Sequence, residues 1–143
     1  MTQIVLTRTF SSGVQLREGG DGRTLVGPVM PWNVEAVVYD RGRQVVETFE
    51  RGALAGAVPA RVPLTATHPR DAGTLPIGVT VELRDEVDAL HGAWRVSKTA
   101  LGDEVLALAR DQVPLSLSVG FLELPGGSRW SPDRRWVART RAA

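Results

Sequence analysis

The sequence predicts an α+β domain that is mostly β, with one main helix and a short helical turn. Short runs of alternating apolar and polar residues, bounded by Gly, Pro and Asp, recur along the chain; this is the pattern of half-buried strands. Only Leu101 to Asp111 carries apolar residues at helical spacing. At 143 residues the chain is long enough to bury one core without disulfides or metal.

In chain order, strands are predicted over Thr24 to Val29, Val34 to Tyr39 and Gln44 to Phe49, with Asp40-Arg41-Gly42-Arg43 as the turn joining the last two. A short helical turn follows Glu50, through Gly52-Ala53-Leu54-Ala55. A strand over Val62 to Thr67 comes next. The clearest alternation is Ile77 to Leu83, which puts Ile77, Val79, Val81 and Leu83 on one face. Leu90 to Val96 is the next strand. The helix has Leu101, Val105, Leu108 and Ala109 as its predicted buried stripe, and Asp103 and Glu104 in its first turn suit the positive end of the helix dipole. The last clear strand places Leu115, Leu117, Val119 and Phe121 on one face and Ser116, Ser118 and Gly120 on the other. Pro125 to Ser128 reads as a loop. The tail after it carries five arginines and a single acid, and reads as strand or partly ordered segment.

Composition narrows the function classes. A net charge of +1 and scattered aromatics argue against a nucleic-acid partner. The absence of cysteine excludes a disulfide framework, a cysteine nucleophile and a cysteine zinc site. The N-terminus lacks the basic and apolar regions of a signal peptide, and no apolar run approaches the roughly 18 residues that span a bilayer. The expectation is a soluble intracellular domain with no membrane partner.

With no cysteine and two histidines, a nucleophile activated by an imidazole draws on a short list. His68 closes the run VPLTATH, and Ser118 lies within LSLSVGF. Periodicity does not choose between Ser116 and Ser118, which share a strand face. His91 is the other imidazole; its strand also holds Trp94, and the reading for it is a partly exposed structural role.

Five blocks in order resemble the tailed-phage prohead (capsid-maturation) serine proteases, relatives of the herpesvirus assemblins. They are GRTLVGPVMPWN (Gly22 to Asn33), TFERGAL (Thr48 to Leu54), VPLTATHPRDAGTLPIG (Val62 to Gly78), DALHGAWRVSKTALGDEVLALARDQV (Asp88 to Val113) and LSVGF (Leu117 to Phe121). The resemblance covers most of the chain. It implies an assemblin-like, partly closed antiparallel β-barrel over residues 1–125. An Arg-rich C-terminal segment follows over 126–143, ending before the family's last conserved strand.

The resemblance also implies an activity: a serine endopeptidase that cuts scaffold and capsid precursors, and itself, during capsid maturation. Ser118 would be the nucleophile and His68 the general base and then acid. Val119 and Gly120 are candidates for oxyanion or substrate contacts, as are Arg134 and Arg135, for which the plainer reading is a solvated basic edge. Glu50 matches the family and reads as structural. No metal or organic cofactor is implied. The partners would be capsid-precursor and scaffold polypeptides, with a homodimer as a further candidate, and the location would be the host cytoplasm inside the assembling procapsid.

The third catalytic residue is not identifiable in this chain. The family's next block, with its acid, should begin where the sequence reaches Ala143. Glu123 and Asp133 are the acids after Ser118. Glu123 falls on the face of Val119 and Phe121, away from Ser118, and Asp133 lies in a turn. The alternative function is a noncatalytic, assemblin-fold assembly component that binds scaffold or capsid protein.

Overall fold

A computed structural model describes residues 5–10, 13–67 and 75–143. The structure is 47% strand and 11% helical, and its sheet curls into a half-barrel. The mostly-β α+β class is therefore as the alternation predicts.

The strands are β1 (Val5–Phe10), β2 (Gln15–Leu16), β3 (Thr24–Pro31), β4 (Ala36–Asp40), β5 (Arg43–Phe49), β6 (Pro63–Leu64), β7 (Gly78–Asp85), β8 (Ala89–Val96), β9 (Leu117–Leu122), β10 (Ser128–Trp130) and β11 (Trp136–Arg139). Helix α1 is Ala100–Arg110. The strands form a sheet ordered β2-β3-β8-β7-β6, a sheet ordered β10-β11-β5-β4, and the two-stranded ribbon β1-β9. The pairings are antiparallel except β11 with β5, which run parallel. That pair is brought together across the length of the chain, so the barrel is not purely antiparallel. Residues 126–143 thus supply two strands to the same sheet as β4 and β5.

The core is continuous beneath these layers. Met30, Trp32, Phe49, Trp94, Val96, Leu106 and Phe121 are buried in one cluster. Phe49 meets Phe121 edge to face at 5.1 Å and Phe10 at 6.3 Å, a geometry favoured by the ring quadrupoles. After Glu50 the chain makes successive turns, Ala53 N–H donating to Glu50 O and Ala55 N–H to Gly52 O, both at 3.0 Å; this is the predicted short helical turn. No helix among the described residues is long and apolar enough to cross a membrane.

Three expectations are corrected. The predicted face of Ile77, Val79, Val81 and Leu83 is broken by a bulge: Thr80 pairs with Trp94 and Glu82 with Ala93, leaving Val81 as the extra residue. Thr80 is buried at 2% exposure, whereas Val81 is 45% exposed. The helix is rotated from its predicted stripe. Gly102, Leu106 and Ala109 are buried, while Leu101 and Leu108 are exposed. The cause is Gly102, where an added Cβ would stand 2.6 Å from Ser97 O; only glycine lets the helix come that close. The strand predicted over Val62 to Thr67 reduces to Pro63–Leu64.

The helix start follows the rules of capping. Thr99 is extended, and its hydroxyl accepts from Gly102 N–H at 2.9 Å. Asp103, in the first turn, pairs with Arg23 at 2.8 Å.

Candidate functional site

Ser118 sits on β9, which pairs with β1 in unbroken register: Thr9 opposite Ser118, Arg8 opposite Val119, Thr7 opposite Gly120. Alternation sorts the two faces as predicted. Phe121 is buried, Leu117 and Val119 pack against the core, and Ser118 and Gly120 are exposed. The Ser118 hydroxyl lies 3.0 Å from Thr9 Oγ1 and donates to Arg8 O at 3.4 Å. A cross-strand Thr–Ser pair of this kind also stabilises a ribbon without any chemistry.

The main-chain geometry divides the oxyanion candidates. Leu122 N–H donates to Ala143 O at 2.6 Å, and Ala143 N–H donates to Leu122 O at 3.1 Å. The polar groups of Leu122 therefore point away from β1, and strand alternation sends those of Gly120 and Ser118 the same way. Those of Val119 face β1. The Gly120 and Ser118 amides thus point away from β1, about 6.7 Å apart along the strand, and the Val119 amide is turned into the ladder.

The other candidates lie elsewhere. His68 lies outside the described residues. Arg134 and Arg135 occupy the turn between β10 and β11, where the Arg134 guanidinium stacks on Trp130 at 5.2 Å and Arg135 Nε lies 3.8 Å from Asp133. Both are exposed. Asp133 accepts from Ser131 Oγ at 2.6 Å and from Arg135 N–H at 3.1 Å. The Ser131 hydroxyl, then the Arg135 N–H, hold its carboxyl below the usual aspartate range. Glu123 faces Arg139 at 3.3 Å and Arg41 at 3.4 Å, on the side of β9 opposite Ser118.

His91 lies on β8 in the five-stranded sheet, with Nε2 3.4 Å from Asp88 and 3.5 Å from Glu86. These three offer ligand atoms within 4.8 Å of one another. Arg84 already pairs with Glu86 at 3.4 Å, which offsets part of the negative charge a cation would need.

Directly under the ribbon is a buried ionic network that the sequence reading did not single out. Arg139, 1% exposed, donates from Nε to Glu47 Oε2 at 3.0 Å and from Nη1 to Ser128 Oγ at 3.0 Å. Asp40 stands 3.5 Å from its Nη2. Arg8 grips the same Glu47 through two contacts, at 2.6 and 3.1 Å. Both guanidinium groups lie over the Phe121 ring, at 5.7 and 5.8 Å. One signal was available: the alternation of Val45, Glu47 and Phe49 puts Glu47 on the inward face.

No protein-family model, no curated protein and no solved structure matches the chain.

Proposed function

We propose that the chain is a serine endopeptidase of the capsid-maturation type, with an assemblin-like barrel and Ser118 as nucleophile. The observation that carries this reading is the presentation of Ser118. It stands exposed on the outer face of a strand whose other face is anchored in the core, within the block LSVGF that resembles the family's nucleophile segment. In the reaction, Ser118 Oγ bonds to the scissile carbonyl carbon as its proton passes to an imidazole, assigned to His68 by the resemblance. That proton then goes to the leaving amine as the C–N bond breaks, and water hydrolyses the acyl-enzyme. In this reading one main-chain donor to the oxyanion is the Gly120 amide, which is turned away from β1. The substrates would be capsid-precursor and scaffold polypeptides inside the assembling procapsid.

A second reading, a noncatalytic assembly component of the same fold, draws on a specific observation. Both acids that follow Ser118 are engaged elsewhere, Glu123 with two arginines and Asp133 in its own turn. Loss of the orienting acid costs a serine protease about ten-thousandfold in rate.

Treatment with diisopropyl fluorophosphate, read by intact mass and peptide mapping, separates the two. One adduct on Ser118, absent from a folded Ser118→Ala protein, supports the protease. A folded chain that takes no adduct at Ser118 supports the noncatalytic reading.

A further inference from the structure

The ladder between β1 and β9 alternates wide and close pairs. Because the polar groups of Leu122 turn to Ala143, Thr7 with Gly120 and Thr9 with Ser118 are non-hydrogen-bonded pairs. Side chains stand closest in such pairs, with Cα atoms about 4.5 Å apart. Gly120 brings no side chain to Thr7. Thr9 and Ser118 each bring a hydroxyl, and the two oxygens lie 3.0 Å apart.

The core holds both residues in place. Thr9 stands between Arg8, whose guanidinium makes two contacts with buried Glu47, and Phe10, which meets Phe49 edge to face. Ser118 stands between Leu117 and Val119, both packed against the core. Threonine is β-branched and stiff at χ1, so its hydroxyl stays where the strand puts it. The other hydrogen-bond partner of Ser118 Oγ among the described residues is Arg8 O, at a long 3.4 Å. That carbonyl already belongs to the hydrogen-bonded pair of Arg8 with Val119.

We propose that Thr9 is a positioning residue for Ser118, its hydroxyl donating to Ser118 Oγ and holding that oxygen in one rotamer. The inference rests on the protease reading. A serine alone on an exposed strand face divides its time among staggered rotamers, whereas attack on a carbonyl needs the one that aims Oγ at it. The Thr9 hydroxyl occupies one lone pair of Oγ and leaves the serine proton free to turn from Arg8 O to the imidazole. As the Oγ–carbon bond forms, that proton passes to the imidazole and Thr9 keeps its own. As the acyl–Oγ bond later breaks, the electron pair stays on Oγ. The Thr9 hydrogen bond supports that charge until the imidazole returns the proton.

A packing role for Thr9 makes the opposite demand on the side chain. A strand favours the β-branch, which valine keeps and serine loses. A donor to Ser118 needs the hydroxyl, which serine keeps and valine loses. The rank of Thr9→Val and Thr9→Ser therefore separates the two roles.

The test follows the rate at which diisopropyl fluorophosphate adds to Ser118 in the folded full chain, by intact mass over time with peptide mapping. Thr9→Val should slow labelling about threefold to tenfold, the worth of one hydrogen bond, while being at least as stable as Thr9→Ser. Thr9→Ser should label within about twofold of wild type. Thr7→Val removes a hydroxyl from the same face, opposite Gly120, and should leave the rate unchanged. Equal rates for Thr9→Val and wild type overturn the inference. So does a Thr9→Ser protein slower than Thr9→Val, a Thr7→Val protein as slow as Thr9→Val, or an adduct mapped to Thr9. A wild-type chain that takes no adduct sinks the protease reading and this role together, whereas a chain labelled at Ser118 at a rate indifferent to Thr9 sinks this role alone. If Thr9→Val fails to fold, Thr9→Ala against Thr9→Ser decides, since neither has the β-branch and serine alone has the hydroxyl.

Discussion

Replacing Arg139 by methionine keeps most of the buried side-chain volume and removes the guanidinium, so the loss it causes is chiefly electrostatic. Glu47 stays paired, because Arg8 still reaches it at 2.6 and 3.1 Å. Asp40 does not fare as well. Its side chain is 3% exposed, and its remaining cation, Arg41, stands 3.9 Å away and is 73% exposed. Removing one partner from a buried ion pair costs about 3–5 kcal/mol. With half of the network intact, the lower end applies, about 3 kcal/mol for Arg139→Met. Removing Glu47 instead takes from Arg8 both of its carboxylate contacts and leaves Arg139 with Asp40 and Glu123, two guanidinium groups over one phenyl ring, so Glu47→Leu should cost more, about 5 kcal/mol. Chemical denaturation with a two-state fit measures both. For a domain of this size the first should lower the melting temperature by about 10 °C. An Arg139→Met protein within about 1 kcal/mol of wild type, or a Glu47→Leu protein more stable than it, would refute the view that Glu47 is the shared anion of this network.

Three further outcomes follow from local geometry. Gly102→Ala gains about 1 kcal/mol of helix propensity but drives a Cβ to 2.6 Å from Ser97 O, so overpacking of about 1–3 kcal/mol should leave it less stable; a higher midpoint in urea would contradict the close helix approach. Thr99→Ala removes the acceptor of the Gly102 N–H and should cost about 1 kcal/mol, read by the same denaturation curve. The Asp133 carboxyl, held low first by the Ser131 hydroxyl, should titrate by NMR below a free aspartate. Its turn contributes stability that is present above the unfolded aspartate pKa and is lost as pH falls through the lower folded one. Ser131→Ala should move that titration upward, and an unmoved value would exclude the hydroxyl as its cause.

Strands were legible where the inward residues are apolar and illegible where one of them is charged. In β9, Leu117, Val119 and Phe121 announce a buried face, and the structure keeps it. In β1 the inward set is Leu6, Arg8 and Phe10, and the arginine at its centre breaks the apolar alternation. β11 repeats the problem with Val137 and Arg139 buried on either side of Ala138. Each charge looks like a surface residue until its partner on another strand is known, and that partner is set by tertiary pairing. Arg139 and Glu47 come within reach because β11 runs parallel to β5, a pairing that no local pattern encodes. The rotated helix and the bulge at Val81 are a different failure, since periodicity assumes a regular element and an approach limited by side chains. Gly102 removes the second assumption and the extra residue in β7 removes the first. At the candidate site, the exposure of Ser118 was readable from alternation alone. The orientation of the amides on either side of it was not, because it depends on where Leu122 meets Ala143.

The buried network and Ser118 occupy opposite faces of the same ribbon, and this limits how either can be studied. A two-stranded ribbon is at best marginally stable alone, so β1-β9 owes its place to what it lays on the sheet below. Those contacts are Phe10 and Phe121 against Phe49 and Arg8 on Glu47. Thr9, whose hydroxyl meets Ser118, is the residue after Arg8 and points the other way. Loosening the Arg8–Glu47 pair would therefore shift the surface around Ser118 without touching that serine. A Glu47 variant with weaker fluorophosphate labelling would report the position of the ribbon, not a part for Glu47 in chemistry. The nucleophile is identified only by a change that abolishes labelling at unaltered stability. Ser118→Ala comes nearest to that condition, since it removes one exposed hydroxyl and its contacts with Thr9 Oγ1 and Arg8 O, worth under about 1 kcal/mol.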